Sequence, residues 1–358
     1  MAKQVKGWVM RQITDISKTV EKNTYPVGSA VGTINKTAPQ IKVQMKLPPG
    51  LILPDEPKVA WWNPVEMKWT EESILDVDFH PDTNELKFST VSVGSIAVVQ
   101  DRLTDLSYKE WSLAPFMPKN AAEGGEEVRL TLKTPRFTVV IAATGQLCRL
   151  ISPEIPQLAQ LREQELEAGD LLNRLAAAGL NILPTDDDAA KCKYDGAEVA
   201  GVTLKNKALE DKLCKELSYA ATSFDFRGSR WNNSIGSGKC CFQVKETDAF
   251  TGGSDLVDYN MATIEMDAQS QSALDAPDVT EVCANGGLKC TLVDGGEEPA
   301  SRAFDATLLA GTQSELYLIS CLENIACKET IARVEASNGI ICSTVRSLLQ
   351  LTRPFSFS

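Results

Sequence analysis

The stretch that decides the fold begins with Lys58-Val-Ala-Trp-Trp-Asn-Pro64 and continues to Ile151. It carries four of the six tryptophans of the chain, at positions 61, 62, 69 and 111. Its apolar and polar residues alternate with a period of two, as antiparallel strands with one buried face require. Residues 74–80 and 86–90 alternate in this way around the turn Pro81-Asp-Thr-Asn84, which predicts a β-hairpin.

Further strands follow in the same stretch. Strand patterns recur at residues 96–99, 128–133, 137–142 and 146–151, with a turn at Thr144-Gly145 before the last. Short strands at this spacing predict an antiparallel β-sandwich over residues 58–152. We expect Trp61 and Trp111 to lie in its core, because large aromatic side chains supply much of the burial in a small domain.

The segment before the sandwich has a different pattern. Apolar residues recur at helical spacing over residues 4–22, which predicts an amphipathic helix. From Asn23 to Pro57 the chain contains six prolines, so a sheet interior is excluded and an extended arm is predicted. Residues 1–57 are therefore expected either to lie along a partner or to fold back on the sandwich.

After Pro153 and Pro156 the period changes from two to that of a helix. This change predicts a third domain over residues 157–358, and the whole chain is expected to be α+β. Helices are predicted at 157–178 (ending at Gly179), 205–224, 313–322, 324–336 and 339–351, and strands at 239–244, 259–266 and 288–293. Phe355 and Phe357 are expected to dock the C-terminal tail.

The charge of the chain is unevenly distributed. The net charge is -12, which argues against nucleic acid as the main partner, because phosphate binding needs a basic surface. Residues 1–50 carry eight basic and two acidic side chains, a net charge of +6, so the remainder carries -18. We therefore expect an acidic partner for the N-terminal segment. The predicted partner-binding residues are its apolar stripe and its basic side chains: Trp8, Val9, Ile13, Ile16, Lys3, Lys6, Arg11 and Lys18.

Targeting and cysteine patterns point to the interior of the cell. The sequence has neither a long apolar run nor the apolar core and cleavage site of a signal peptide. Its ten cysteines are therefore expected to be reduced thiols, most of them buried. With a single histidine and no C-x2-C pair, the sequence predicts neither a metal site nor a cofactor.

Two features could suggest catalysis, and neither has the residues that catalysis needs. Gly236-Ser-Gly-Lys239 lacks the earlier glycine and the following Ser or Thr of a phosphate-binding loop, and a tight turn is predicted instead. His80 is the single histidine, and no Ser or Cys lies in a recognisable nucleophile turn. We expect the protein not to be an enzyme.

Several strings, in order, resemble a known family. These include Val59-Ala-Trp-Trp-Asn-Pro64, Trp111-Ser-Leu-Ala-Pro115, Ser229-Arg-Trp-Asn232 and Leu348-Leu-Gln-Leu-Thr-Arg353. They are similar to the central part of the axonemal family called cancer susceptibility candidate one, or lung adenoma susceptibility protein. Its members are described as axonemal dynein intermediate chain seven. The resemblance covers about residues 50–358.

The resemblance implies a non-enzymatic assembly subunit of the cilium or flagellum axoneme, a part of the cytoskeleton. Its expected partners are inner-arm dynein and its intermediate chains, or tubulin, and its expected role is in ciliary motility. The family usually has a long, charged N-terminal region, whereas about fifty residues precede the sandwich here, so a scaffold role in another complex such as a central-apparatus projection stays open. A small-ligand-binding β-sandwich is the alternative of another class.

Overall fold

The computed structural model describes residues 11–13, 40–54, 56–92, 94–116, 126–192, 202, 204–229, 232, 235–247, 259–266, 288–293, 317–322 and 326–358. These residues form mainly antiparallel sheets together with α-helices, which confirms the predicted α+β class. The chain divides into two compact units. Unit 1 consists of Met1–Asp105, Ile155–Gln160 and Leu172–Ile182, and unit 2 of Leu106–Glu154, Leu161–Leu171 and Leu183–Ser358.

The described residues of unit 1 form two small sheets. Its strands are β1 (Arg11–Ile13), β2 (Ile41–Lys46), β3 (Lys58–Asn63), β4 (Lys68–Thr70), β5 (Ile74–His80), β6 (Glu85–Thr90) and β7 (Ile96–Asp101). One sheet has the order β1-β7-β3-β4 and the other the order β2-β6-β5. The predicted hairpin is confirmed as β5 and β6, which pair from His80 and Glu85 at the turn to Ile74 and Thr90.

The core of unit 1 is built from both sheets. One cluster of buried side chains contains Leu86 and Phe88 from β6 together with Val59 from β3 and Val98 from β7. Trp61 packs against this cluster but is only partly buried. Two sheets that share one apolar cluster form a β-sandwich, although its strands come from residues 11–13 and 41–101 rather than from the predicted 58–152.

The period-two pattern of β5 is interrupted by a β-bulge. Asp76 has a φ of 52°, and the register against β6 shifts between Leu75 and Asp78. Because the bulge inserts an extra residue, Val77 lies on the outside and is 42% exposed. The regular alternation that the sequence predicts across residues 74–80 is therefore wrong in the middle of the strand.

In the described part of unit 2, nine strands form one sheet. They are β8 (Glu110–Phe116), β9 (Glu127–Lys133), β10 (Thr138–Thr144), β11 (Leu147–Ser152), β12 (Glu165–Leu166), β13 (Phe224–Gly228), β14 (Lys239–Glu246), β15 (Asn260–Met266) and β16 (Leu288–Val293). Their order is β12-β11-β10-β9-β8-β13-β14-β15-β16. Leu113 of β8 pairs with Phe226 of β13, so the strands between 110 and 152 continue into the C-terminal strands. The sequence placed them in the sandwich of residues 58–152, because periodicity identifies a strand but not its sheet.

The helices follow the predicted order with shifted ends. After a 3-10 turn at Pro156–Leu158 come α1 (Ala159–Arg162), α2 (Ala168–Ala178), α3 (Asp186–Ala189), α4 (Lys207–Ala220), α5 (Tyr317–Leu322), α6 (Lys328–Glu335) and α7 (Gly339–Thr352). Parts of the predicted helices, at 313–316 and 324–325, lie outside the described residues. The predicted helix 205–224 ends early, because Phe224 begins β13.

The predicted helix 157–178 is wrong at its centre, where Glu165–Leu166 forms β12. Leu166 pairs with Cys148 of β11, so this piece of chain extends the sheet instead of continuing α1. The predicted end of the helix is confirmed at Gly179, whose φ of 101° suits the left-handed residue after a helix. The Leu180 N–H donates to the Leu175 carbonyl at 2.9 Å and closes this C-terminal cap.

The core of unit 2 encloses the C-terminal tail. Phe355 is 1% exposed, and its ring lies 5.2 Å from that of Trp111 and 6.3 Å from that of Phe242. The Tyr108 N–H donates to the Phe357 carbonyl at 2.6 Å, and the Tyr108 hydroxyl donates to the Thr352 carbonyl at 2.9 Å. The predicted docking of the tail is confirmed, and so is the burial of Trp111, which is 3% exposed.

One glycine makes room for Trp111. A Cβ atom added to Gly228 would lie 2.6 Å from the indole Nε1, a distance at which the ring or the strand must move. We expect Gly228→Ala to destabilise unit 2 by about 1–3 kcal/mol, the usual cost of overpacking. Urea denaturation followed by tryptophan fluorescence measures the loss. Gly169→Ala is a matched control, because a Cβ at Gly169 meets nothing within 4 Å; equal stability of the two variants would contradict this packing.

Candidate interaction surfaces

The predicted N-terminal partner-binding segment is only partly described. The structure places Arg11–Ile13 in β1, which runs parallel to β7 with Arg11 opposite Val99 and Ile13 opposite Asp101. The predicted helix is therefore wrong at these three residues, since the open backbone edge of β7 offers hydrogen bonds that a strand can use. The other predicted residues lie outside the described residues: Lys3, Lys6, Trp8, Val9, Ile16 and Lys18.

The arm predicted before residue 57 also joins unit 1. Ile41–Lys46 forms β2 and pairs with β6, from Ile41 opposite Thr90 to Lys46 opposite Glu85. The sequence contained a signal for this strand, because three apolar residues alternate with Lys42, Gln44 and Lys46. The neighbouring prolines at 39 and 48 outweighed it. As these prolines require, β2 lies at the edge of its sheet.

The turn between β3 and β4 exposes apolar side chains to solvent. It comprises residues 63–68 and is here called the β3–β4 tip. Val65 is 88% exposed and Met67 is 70% exposed, more than any other large hydrophobic residue in the described part of the chain. Periodicity alone did not distinguish this turn from the strands around it. The Asn63-Pro-Val-Glu-Met67 sequence did signal a turn with apolar residues at its apex.

The β3–β4 tip is held in one shape by its own polar groups. The Asn63 side-chain oxygen accepts hydrogen bonds from the Val65 N–H at 3.0 Å and from the Glu66 N–H at 3.3 Å. Such an Asx turn replaces backbone hydrogen bonds that the turn itself cannot make. Met67 has a φ of 54°, in the left-handed region, and its conformation completes the reversal of the chain.

Two tryptophans support the β3–β4 tip from behind. Trp62 and Trp69 are directly opposite each other on β3 and β4. Their ring centroids are 5.4 Å apart at an interplanar angle of 62°, an edge-to-face arrangement that stabilises the hairpin. Both side chains are half-buried, and so is Trp61, so the prediction that Trp61 and Trp111 lie in a core is confirmed for Trp111 and wrong for Trp61.

Unit 2 contains a network of buried polar side chains that holds the C-terminal tail in place. The network is not an interaction surface, because its side chains are buried. Glu210 accepts two hydrogen bonds from the Arg353 guanidinium, at 3.0 and 2.9 Å, and one from the Ser356 hydroxyl at 2.8 Å. Burial raises the pKa of Glu210, although the charge of Arg353 acts in the opposite direction. Lys205 Nζ donates to the Asn232 carbonyl at 2.7 Å, and burial lowers the pKa of this lysine. The network therefore anchors residues 353–356 to α4.

The structure places the two features weighed for catalysis on a strand of unit 1 and in a turn of unit 2. His80 lies on β5 with 48% of its side chain exposed, and its Nε2 is 3.1 Å from a carboxylate oxygen of Asp78. The Lys239 N–H donates to the Gly236 carbonyl at 3.1 Å, in the tight turn that precedes β14. Within the described residues no group of three or more His, Cys, Asp or Glu side chains is arranged to hold a metal ion.

Burial separates the described cysteines into two classes. Of the seven whose side chains the structure describes, six are buried, as the sequence predicts, and burial raises the pKa of Cys148 to about 12. Cys327 is exposed at the start of α6. The thiolate is the reactive form of cysteine. A buried thiol with a raised pKa is therefore protected from reagents both by its burial and by its bound proton.

We therefore expect Cys327 to react with a maleimide before the six buried cysteines do. Peptide mapping by mass spectrometry after a short native labelling pulse measures the order, with Cys327→Ser as the control that removes the early site. The six buried cysteines are Cys148, Cys192, Cys214, Cys240, Cys241 and Cys342. Labelling of any of them as fast as Cys327 would contradict the burial described here.

Comparison with known proteins gives one consistent answer. A dynein axonemal intermediate chain 7 of Macaca fascicularis is 23% identical over an alignment of 367 residues that covers 99% of this chain. The chain resembles dynein axonemal intermediate chain 7. The protein of that name from Homo sapiens is 23% identical over 369 residues and 99% of the chain, and a homolog from Ciona intestinalis is 24% identical over 265 residues and 67% of the chain. The family resemblance drawn from the sequence is confirmed.

The match to dynein axonemal intermediate chain 7 has a definite extent. The aligned part covers 44% of the Macaca protein, 45% of the human protein and 34% of the Ciona protein, so the chain spans less than half of the length of these relatives. No family model matches the chain. In the described part of the chain, no helix is both long enough and apolar enough to cross a bilayer.

Proposed function

We propose that this chain is a non-enzymatic subunit of the axoneme of motile cilia or flagella, where it associates with inner-arm dynein and takes part in regulating motility. The observation that carries the proposal is the match to dynein axonemal intermediate chain 7 over 99% of the chain. A match of this extent includes the sequences of both units, so both are expected to take part in the same assembly.

The character of the described residues supports an assembly role. The inner faces of the unit 1 sandwich are filled by their own side chains, with Leu86 at 0% and Val59 at 2% exposure. A β-sandwich that binds a small ligand needs a lined cavity in its core or at its mouth, so this packing favours the assembly role over the ligand-binding alternative. The exposed apolar β3–β4 tip is the kind of surface that proteins use for association.

A differential extraction experiment tests the proposal. The chain is tagged at its own locus in a ciliated organism, axonemes are isolated, and dynein is released by salt. We expect the chain to be in the axoneme, to leave it together with inner-arm dynein heavy chains, and to be reduced in mutants that lack those arms. A chain that stays with the central apparatus would support the scaffold alternative instead, and a chain absent from axonemes would contradict the proposal.

A further inference from the structure

The β3–β4 tip combines exposure with a fixed shape. Val65 and Met67 project most of their apolar surface into solvent, although burying them would be favourable. The Asn63 hydrogen bonds and the edge-to-face pair of Trp62 and Trp69 hold the turn that carries them. A segment that is already ordered loses little conformational entropy when it binds, so exposed apolar side chains on a rigid turn favour association.

The charge of the β3–β4 tip indicates the kind of partner surface that would be complementary to it. Its two charged residues neutralise each other, with Lys68 Nζ 2.9 Å from a carboxylate oxygen of Glu66. The tip is therefore locally neutral on a chain whose net charge is -12. A complementary surface is concave, apolar and uncharged, because a charged cleft would lose its hydration without gaining a counter-charge.

We propose that the β3–β4 tip inserts into an uncharged apolar cleft on a neighbouring protein subunit. The inference rests on the proposed function for the identity of the assembly, and it goes further by assigning the contact to Val65 and Met67. The two residues act as the buried centre of the contact, and the Glu66–Lys68 pair lies at its rim. A small apolar centre surrounded by polar groups is the usual anatomy of a protein interface.

The charges near the β3–β4 tip disfavour a membrane as its partner, and the short edge of the hairpin disfavours a second copy of the chain. Anionic membranes attract basic segments, whereas Glu71 and Glu72 follow β4 directly and are exposed. A second copy pairing along the edge of the sheet would have only the three residues of β4 available. So short an edge offers few backbone hydrogen bonds, and we therefore favour a different protein as the occupant.

The test uses the full chain and axonemes from cells that lack it. Recombinant wild type and Val65→Ser/Met67→Ser are added to these axonemes, and the bound fraction is measured by sedimentation over a range of concentrations. Matched controls are Val77→Ser and Ile340→Ser, which remove exposed apolar residues at 42% and 48% exposure elsewhere on the surface. Circular dichroism and the melting temperature check that every variant is folded.

We expect the double variant to bind at least about tenfold more weakly, since a tenfold change corresponds to about 1.4 kcal/mol. The two controls should bind like the wild type. Equal binding of wild type and double variant would overturn the assignment of the β3–β4 tip and leave the proposed function intact. Failure of the wild type itself to bind would count against the proposed function, so the two results are distinguishable.

Two further measurements identify the occupant. A photoreactive amino acid at position 65 should cross-link to one axonemal protein, whereas the same group at position 340 should not give that product. Cross-linking to a second copy of the chain, together with a dimer in light scattering that Val65→Ser abolishes, would replace the partner by a homodimer. Sedimentation with phosphatidylcholine–phosphatidylserine vesicles that depends on Met67 would replace it by a membrane. Either outcome overturns the proposal.

Discussion

Replacing Trp111 by alanine is expected to destabilise the protein by about 3–5 kcal/mol, the usual cost of truncating a buried tryptophan. Trp111 is 3% exposed, and its indole lies against Gly228 on one side and against the Phe355 ring at 5.2 Å. The truncation would leave a cavity between the sheet and the C-terminal tail. A loss of this size is a large share of the roughly 5–15 kcal/mol that stabilises a typical domain.

Chemical denaturation followed by circular dichroism measures this loss. Trp62→Ala is the control, because Trp62 is half-buried on the surface of unit 1 and its loss leaves no enclosed cavity. The control should cost much less than Trp111→Ala. An unchanged denaturation midpoint for Trp111→Ala would mean that Trp111 does not hold the tail against the sheet.

The second large effect is expected from Arg353→Met. Arg353 donates two hydrogen bonds to Glu210, and the side chains of the two residues are 16% and 5% exposed. Removing the guanidinium leaves a buried carboxylate without its counter-charge, which typically costs about 3–5 kcal/mol. Since the pKa of Glu210 is already raised by burial, this carboxyl should then take up a proton more readily.

The expected penalty has a specific signature in a double-mutant cycle. Glu210→Gln/Arg353→Met should be more stable than Arg353→Met alone, because the unpaired charge is then gone. Lys133→Met is the surface control: its ion pair with Glu110 is 47% and 70% exposed, and such pairs contribute about 0.2–1 kcal/mol. A double variant no more stable than the single one would contradict the electrostatic explanation.

The stability of the Arg353→Met variant should depend on pH, because burial raises the pKa of Glu210. A carboxyl whose folded-state pKa lies above its unfolded value favours the folded state in its protonated form. The variant should therefore lose less stability at a pH below the raised pKa of Glu210 than at neutral pH. Melting temperatures of wild type and variant at pH 5 and pH 7 measure this difference.

The sequence predicted local structure well where a pattern and a turn agreed. The β5–β6 hairpin followed from alternation around a Pro-Asp-Thr-Asn turn, and the end of α2 followed from Gly179, whose positive φ glycine adopts without strain. The buried tail followed from Phe355 and Phe357 after Pro354. Each of these features depends on residues that are close together in the sequence.

The sequence did not predict which strands share a sheet. The strands from 110 to 152 look the same in periodicity as those from 58 to 101, yet their sheet continues through β8 into β13, which begins more than one hundred residues after β8 ends. Pairing over such distances depends on how side chains fit across the sheet, which a one-dimensional pattern does not contain. Phe224–Gly228 was missed for the same reason, since the apolar residues of α4 run directly into it.

The β3–β4 tip was missed because periodicity does not show which residues of a turn lie at its apex. The Asn63 hydrogen bonds place Val65 and Met67 there. The resemblance to dynein axonemal intermediate chain 7, by contrast, depended only on the order of short strings, which the fold does not alter.

The position of the chain in intact axonemes tests the central claim most directly. Cryo-electron tomography with subtomogram averaging locates a tag on the chain by comparing tagged, untagged and deletion axonemes. We expect a density at an inner dynein arm that is lost on deletion and returns with the full chain. A tag density on the central apparatus, or axonemes that are identical with and without the chain, would contradict it.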